Sequence, residues 1–208
     1  MNNTAILVMA AGSSRRFGSD KRQARIENKT LLEATLEKAA PWKESIRVIL
    51  GPGDETLQQT LSVQGITAYI AENAQRGMGH SLADSIGLLS MHDPVFRRCL
   101  IMLADMPFLK TSTLKTLLNA LQNNELVVPT YQGKRGNPVG FGQRYFSELA
   151  KLTGDNGGKI ILLRNENSIQ EIPVDDIGIL MDIDRPEQLI RSAENSADEL
   201  PTCPQRPH

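Results

Sequence analysis

The sequence predicts a three-layer α/β/α sandwich built on a mostly parallel sheet. Two patterns carry that expectation. Short apolar runs without polar alternation recur along the chain, as strands covered on both faces require. Between them lie stretches with the three-and-four apolar spacing of amphipathic helices. Strand and helix in alternation make βαβ units with right-handed crossovers.

The strand candidates are "AILVMA" (5–10), "IRVIL" (46–50), "ITAYIA" (66–71), "CLIMLA" (99–104) and "ELVVP" (125–129), each read as buried on both faces. The first helix, "TLLEATLEKAA" (30–40), opens on Thr30 and Glu33, the spacing of a capping box. "GHSLADSIGLL" (79–89) forms a weaker helix, because Gly87 interrupts it. "TSTLKTLLNALQ" (111–122) carries a stripe of Leu114, Leu117, Leu118 and Leu121. "NPVGF" (137–141) adds a strand, and "SIQEIPV" (168–174) adds another, with an antiparallel direction open to it. "GILMDIDRPEQLIRSA" (178–193) closes the fold with a short apolar run, a turn and a helix. One domain over 1–193 is expected, with a disordered tail over 194–208, where apolar periodicity is lost.

The 208 residues balance 23 basic against 24 acidic side chains, a net charge of -1. A general nucleic-acid or anionic-membrane binder needs an excess of cations, so both classes are excluded. Two cysteines, Cys99 and Cys203, make no disulfide framework, and three histidines without ligand spacing make no zinc site. The opening "MNNT" has no basic region, and the apolar run behind it is too short for a leader or a span. A cytoplasmic protein is expected.

The one dense cationic cluster follows the first strand. Arg15, Arg16, Lys21, Arg22 and Arg25 face a single acid, Asp20. In open parallel sheets, ligands bind beyond the carboxyl ends of the strands, which is where this loop lies. Gly12 and Gly18 allow close backbone approach, Ser13 and Ser14 add hydroxyls, and Arg16 and Lys21 add charge. Backbone N–H groups beside cations make a phosphate cradle; a solvated basic loop is the plainer alternative. A P-loop needs Gly-Lys followed by Ser or Thr, and a dinucleotide fold needs G-x-G-x-x-G; neither pattern is present in the loop. Asp105 follows the run 100–104 and faces the same crevice, as a metal ligand or a turn residue.

At these residues the chain resembles a known group. "AAGSSRRFGSDK" (10–21) is similar to the A-A-G-x-S-x-R-x-G-x-x-K signature of nucleotidyltransferases with a GT-A-like, Rossmann-like fold. "LADMP" (103–107), "GKRGNPVGF" (133–141), "GDNGGK" (154–159) and "DIDRPEQL" (182–189) narrow the resemblance to the molybdenum-cofactor nucleotidyltransferases, nearest the cytidylyltransferase branch. Phe17, His80 and Lys159 depart from the usual pattern and leave nucleotide and acceptor open.

The resemblance implies transfer of a nucleoside monophosphate from an NTP, CTP in the first place, to the phosphate of molybdopterin or molybdenum cofactor, with release of pyrophosphate and with Mg2+ as cofactor. A GTP-using relative, a sugar- or alditol-phosphate acceptor, and a non-catalytic nucleotide- or cofactor-binding protein are the alternatives. The recipient molybdoenzyme or its chaperone is an implied partner. Arg16, Lys21 and Asp105 are the implied catalytic residues. Ala10, Ala11, Gly12, Ser13, Ser14, Arg16, Lys21, Gly77, Met78, Gly79, Ser81 and Asp105 would bind the nucleotide. Arg135, Gly136, Asn137, Pro138, Asp155, Gly157 and Gly158 would meet the acceptor. Asp105 and Asp182 would hold the metal, with Asp184 an N-cap first and a ligand second. Arg15, Arg22 and Arg25 stay open between solvated and supporting cations.

Overall fold

A computed structural model of the chain describes residues 3–12, 21–26 and 28–183. The first strand, β1 (Thr4–Met9), is buried along its whole length. Period-two alternation divides it: Ile6 and Val8 enter one core cluster, whereas Ala5, Leu7 and Met9 enter another on the opposite face. A strand whose two faces are both covered cannot alternate with polar residues, which explains its uniform sequence.

The strands that follow are β2 (Arg25–Ile26), β3 (Lys29–Thr30), β4 (Ile46–Leu50), β5 (Thr67–Ile70), β6 (Arg98–Leu103), β7 (Leu126–Tyr131), β8 (Lys134–Arg135), β9 (Val139–Gly142) and β10 (Gln170–Pro173). The main sheet runs β10-β7-β9-β6-β1-β4-β5, with β8 paired to β7; β2 and β3 form a separate small hairpin. β1 is parallel to both β4 and β6, and β4 is parallel to β5. β9 is antiparallel to β6 and to β7. Helices α1 (Leu31–Lys38), α2 (Glu55–Val63) and α4 (Thr111–Ala120) cover one face, and α3 (Met78–His92), α5 (Phe146–Leu149) and α6 (Lys159–Arg164) cover the other. This is the expected three-layer α/β/α sandwich with a mostly parallel sheet.

Several local expectations hold. Thr30 caps α1 as a full capping box, accepting from the Glu33 amide while Glu33 accepts from the Thr30 amide. The leucine stripe of α4 is buried. Cys99 is buried among the strands. Others are corrected. β10 runs parallel to β7 and so opposite to β9, because the stretch through α5 and α6 brings the chain back to the outer side of β7. β5 lies at the sheet edge and is only partly covered, against the expectation of burial on both faces. The short apolar run near the end of the fold, for which the sequence specifies no element, forms a 3-10 turn, Ile177–Leu180. The helix expected after Pro186, the tail and Cys203 lie outside the described residues. Among the described residues no helix is long and apolar enough to cross a membrane.

α3 matters most for the site, since its first residues bear the segment read as nucleotide-binding. Its far end is pinned by Asp93, the C-cap residue. Arg47, a buried cation on β4, donates from Nε and Nη2 to the two oxygens of Asp93, both at 2.7 Å. Its Nη1 donates to the carbonyls of Glu44 and Ile46. The Tyr69 hydroxyl donates to Asp93, and the Arg47 guanidinium lies over the Phe96 ring. Hydrogen bonds from Arg47 hold the Asp93 carboxyl below its ordinary value, whereas burial and Asp93 push the Tyr69 phenol up to about 12. A carboxyl lowered in the folded state stabilises above its unfolded pKa, and that contribution fades as pH falls through the folded value. Asp93→Asn is therefore expected to cost about 1.5–3 kcal/mol at neutral pH, the scale of hydrogen bonds to a charged group. Denaturant melts of both proteins should converge as pH drops below about 3.9, the free aspartate value. A gap that persists at low pH would show that the charge is not the cause.

Candidate active site

The carboxyl ends of the central strands gather the site. Ala10, just past β1, donates its amide to the Ile49 carbonyl at 2.8 Å, and Ala104, just past β6, donates to the Met9 carbonyl at 3.1 Å. The turns after three adjacent strands are thereby brought together. Asp105 follows Ala104 and receives Lys21: Nζ lies 2.5 Å from Oδ2, with both side chains mostly covered. Two residues 84 positions apart, both singled out from the sequence, thus form one ion pair.

Arg22 turns the other way. Its guanidinium meets Asp54 at 2.5 and 2.8 Å and the Ala10 carbonyl at 3.1 Å. Asp54 also accepts the Gly51 amide at 2.9 Å. Arg22 therefore braces the chain after β1 against the turn after β4, which settles its open assignment as a supporting cation. The brace also fixes the start of the 3-10 turn Lys21–Gln23, and with it Lys21. Arg25 stands exposed on β2. Asp54 was not singled out by the sequence; its position four residues beyond a core strand was the available signal. Ser13, Ser14, Arg15, Arg16 and Gly18 lie outside the described residues, as does Asp184. Among the described residues, nothing lies within 4 Å of where a Cβ on Gly12 would sit.

The second wall joins two motifs that the sequence kept apart. Gly77, the N-cap of α3, has φ +119° and ψ 170°. A Cβ there would lie 2.6 Å from the Gly154 carbonyl oxygen and 2.3 Å from Asp155 Oδ1. The Gly79 amide donates to the Gly154 carbonyl at 2.7 Å. Gly157, at φ +53°, rests against Met78. The buried Ser81 hydroxyl turns back to the Gly77 carbonyl. Residues assigned to nucleotide and acceptor therefore share one interface, and His80 is a first-turn residue of α3. Gly158 packs on the Phe141 ring and precedes α6.

A third segment, 176–183, runs along the same edge. The Ile179 carbonyl accepts the Asn137 amide at 2.9 Å, and a Cβ on Gly136 would lie 2.3 Å from that oxygen. The Ile183 amide donates to the Asp105 carbonyl at 3.2 Å. Asp182, exposed, thus sits on backbone bonded directly to Asp105. Arg135 is placed otherwise. It lies on β8 with Nε 2.6 Å from Glu171 and Nη1 3.2 Å from Glu166, both carboxylates of the sheet's outer strand region. Pro138 enters β9 beside Asn137.

The described residues hold no group of three or more His, Cys, Asp or Glu suited to a metal. Two carboxylates on adjoining backbone suit a hard cation that takes one or two protein oxygens and fills its shell with water and phosphate. The Lys21 ammonium on Asp105 shows that one of these oxygens accepts a cation.

A family model for the MobA-like NTP transferase domain matches residues 6–169. The chain belongs to this family. MobA-like NTP transferase domains are nucleotidyltransferase domains, and the match takes in Lys21, Asp105 and the glycine segments at 77–79 and 154–158. Among relatives, the bifunctional protein GlmU of Idiomarina loihiensis is 26% identical over 175 residues, which are 83% of this chain and 36% of that protein. The chain therefore spans about a third of the length of this curated relative. Rv0371c from Mycobacterium tuberculosis H37Rv superposes with a TM-score of 0.78 at 26% identity, over 92% of this chain and 97% of that one. A further structure of Rv0371c is a complex with manganese, at a TM-score of 0.71, 22% identity and coverage of 91% and 96%. The molybdopterin-guanine dinucleotide biosynthesis protein A of Archaeoglobus fulgidus shares the fold, with a TM-score of 0.66, 20% identity and coverage of 93% and 98%.

Proposed function

We propose that this MobA-like domain transfers a nucleoside monophosphate from an NTP to the phosphate of a molybdopterin-type acceptor, with CTP as donor. The observation that carries the proposal is the contact of Lys21 with Asp105 at the carboxyl edge of the central strands, beside the segment bearing Asp182. An oxygen of the acceptor phosphate attacks the α-phosphorus, the bond to the bridging oxygen breaks, and pyrophosphate leaves. Both partners are anionic, so catalysis rests on positioning and on fixed positive charge. Lys21 and Arg16 would bear on the departing phosphates, and the amides near Gly12, Ser13 and Ser14 would donate to them. Asp105 and Asp182 would hold magnesium, which supplies charge neutralisation at the phosphates when bound. Residues 77–79 and Ser81 would border the nucleotide, with Asp155, Gly157 and Gly158 across the shared interface, and residues 135–138 on the acceptor side. CTP is favoured by the motif resemblance; GTP is the donor that the name of the Archaeoglobus protein suggests. Acceptor and recipient molybdoenzyme or chaperone are carried by the same resemblance.

A thermal-shift panel of CTP, GTP, ATP and UTP with magnesium tests the donor. At a hundred times its dissociation constant, a bound nucleotide adds about 2.7 kcal/mol. In a domain of this size that is a rise of roughly 5–10 °C. CTP is expected to give the largest rise, and pyrophosphate release with molybdopterin is expected to follow it. A panel in which GTP leads replaces the donor; a panel with no rise at any NTP removes the proposal.

A further inference from the structure

We infer that Asp176 is the positioning residue for the second carboxylate of the site. This deepens the proposed function and rests on its assignment of Asp182 to the metal. Asp176 is 2% exposed, yet its carboxylate is met from three sides. Oδ2 accepts the Lys110 amide at 2.8 Å and the Thr113 hydroxyl at 2.6 Å. Oδ1 accepts the Gly178 amide at 2.9 Å. Lys110 is the N-cap of α4 and Thr113 lies in its first turn, so the carboxylate also sits at the positive end of that helix. It is an N-terminal cap supplied from elsewhere in the chain.

The consequence lies at Ile183, seven residues further on, and at Asp105, to which Ile183 is bonded. The loop 105–110 is bracketed by the segment 176–183. At one end Asp176 bonds Lys110, and the Lys110 ammonium donates to the Asp175 carbonyl at 2.7 Å. At the other end Ile183 bonds Asp105. Between them Gly178 lies so close to the Phe108 carbonyl that a Cβ would come within 2.4 Å, and Ile179 bonds Asn137. Residues 181–183 have no helix or strand of their own. The place of Asp182 relative to Asp105 is therefore set by these ties, and Asp176 is the member on which three donors converge. Asparagine has the same shape but turns an N–H group towards a backbone donor, which breaks at least one tie.

The test compares Asp176→Asn, Thr113→Val, Thr113→Ser and Asp182→Asn with the wild type. Two quantities are read: the magnesium concentration at half-maximal pyrophosphate release, and amide exchange of residues 177–183 against β6. Asp176→Asn is expected to raise the magnesium requirement at least tenfold and to speed exchange in 177–183, with exchange of β6 unchanged. Thr113→Val, which loses one donor, should move both readings the same way by less, and Thr113→Ser should restore them. If Asp176→Asn does not fold, the two Thr113 variants decide. Faster exchange with an unchanged magnesium requirement overturns the positioning role and leaves a purely structural cap. Asp182→Asn separates the two proposals. If it raises the magnesium requirement and Asp176→Asn does not, only the positioning role falls. If it leaves the requirement unchanged, the metal assignment and the inference fall together.

Discussion

Asp105→Asn is expected to keep the fold and to lose nucleotidyl transfer by a factor of about 10²–10³ or more, the scale of removing one preorganised charged contact. The side chain keeps its shape and loses its charge. Asp105 lies on a turn beyond β6, mostly covered, and asparagine fills the same space. The substitution acts on two partners. A neutral amide is a poor ligand for a hard cation, so magnesium dependence should be lost with turnover. Lys21, now without its carboxylate at 2.5 Å, keeps its charge for the triphosphate. Metal-free nucleotide affinity is then expected to hold or rise, because an anion beside the phosphates is gone. A metal titration of pyrophosphate release beside a melting curve checks this. Unchanged magnesium dependence in a folded variant would remove Asp105 from the metal site.

Gly77→Ala is expected to be the most damaging single methyl in the site. At φ +119° and ψ 170° the backbone is in a region that only glycine enters freely, at about 1–3 kcal/mol for other residues. The new Cβ would also stand 2.6 Å from the Gly154 carbonyl oxygen, a backbone atom that cannot swing aside. Overpacking adds about 1–3 kcal/mol. Loss of more than about 2 kcal/mol is expected together with loss of nucleotide binding, since α3 and the loop at 154–158 must part. Gly12→Ala is the contrast. Its Cβ meets nothing among the described residues, so stability should change by less than about 0.5 kcal/mol while nucleotide affinity falls. Equal stability for both variants would show that the interface between the glycine segments yields easily.

The parts of the fold that were legible in sequence are those whose cause is local. β1 and β6 announce themselves because both faces are buried, and α1 because Thr30 and Glu33 close a capping box within one turn. α2 escaped notice because Leu61 is its one buried residue, so its Thr- and Gln-rich sequence carries no stripe. The direction of β10 is set by where the chain rejoins the sheet beside β7 and not by its own four residues. The site divides the same way. Lys21 and Asp105 could each be singled out by position after a strand, but their contact exists only once β1 and β6 are neighbours. Arg22 stayed ambiguous because its partner Asp54 is 32 residues away. Asp176 was passed over since an acid in "VDDIG" looks like a solvated loop residue; its burial depends on α4 arriving from another part of the chain.

The antiparallel strand β9 has a consequence for how the chain comes together during synthesis. β6 and β7 both precede it, yet neither pairs with the other; each is joined to β9. Until residues 139–142 have emerged, one side of β6 carries unpaired backbone groups along a buried, apolar strand. The facing side of β7 is in the same state at Leu126 and Val127. Direct parallel pairing of β6 with β7 is then open to the nascent chain, and it would shut β9 out of the sheet. A nascent chain paused with β7 emerged and residues 139–142 still inside the ribosome holds two adhesive edges at once, the condition under which partly made chains associate with one another.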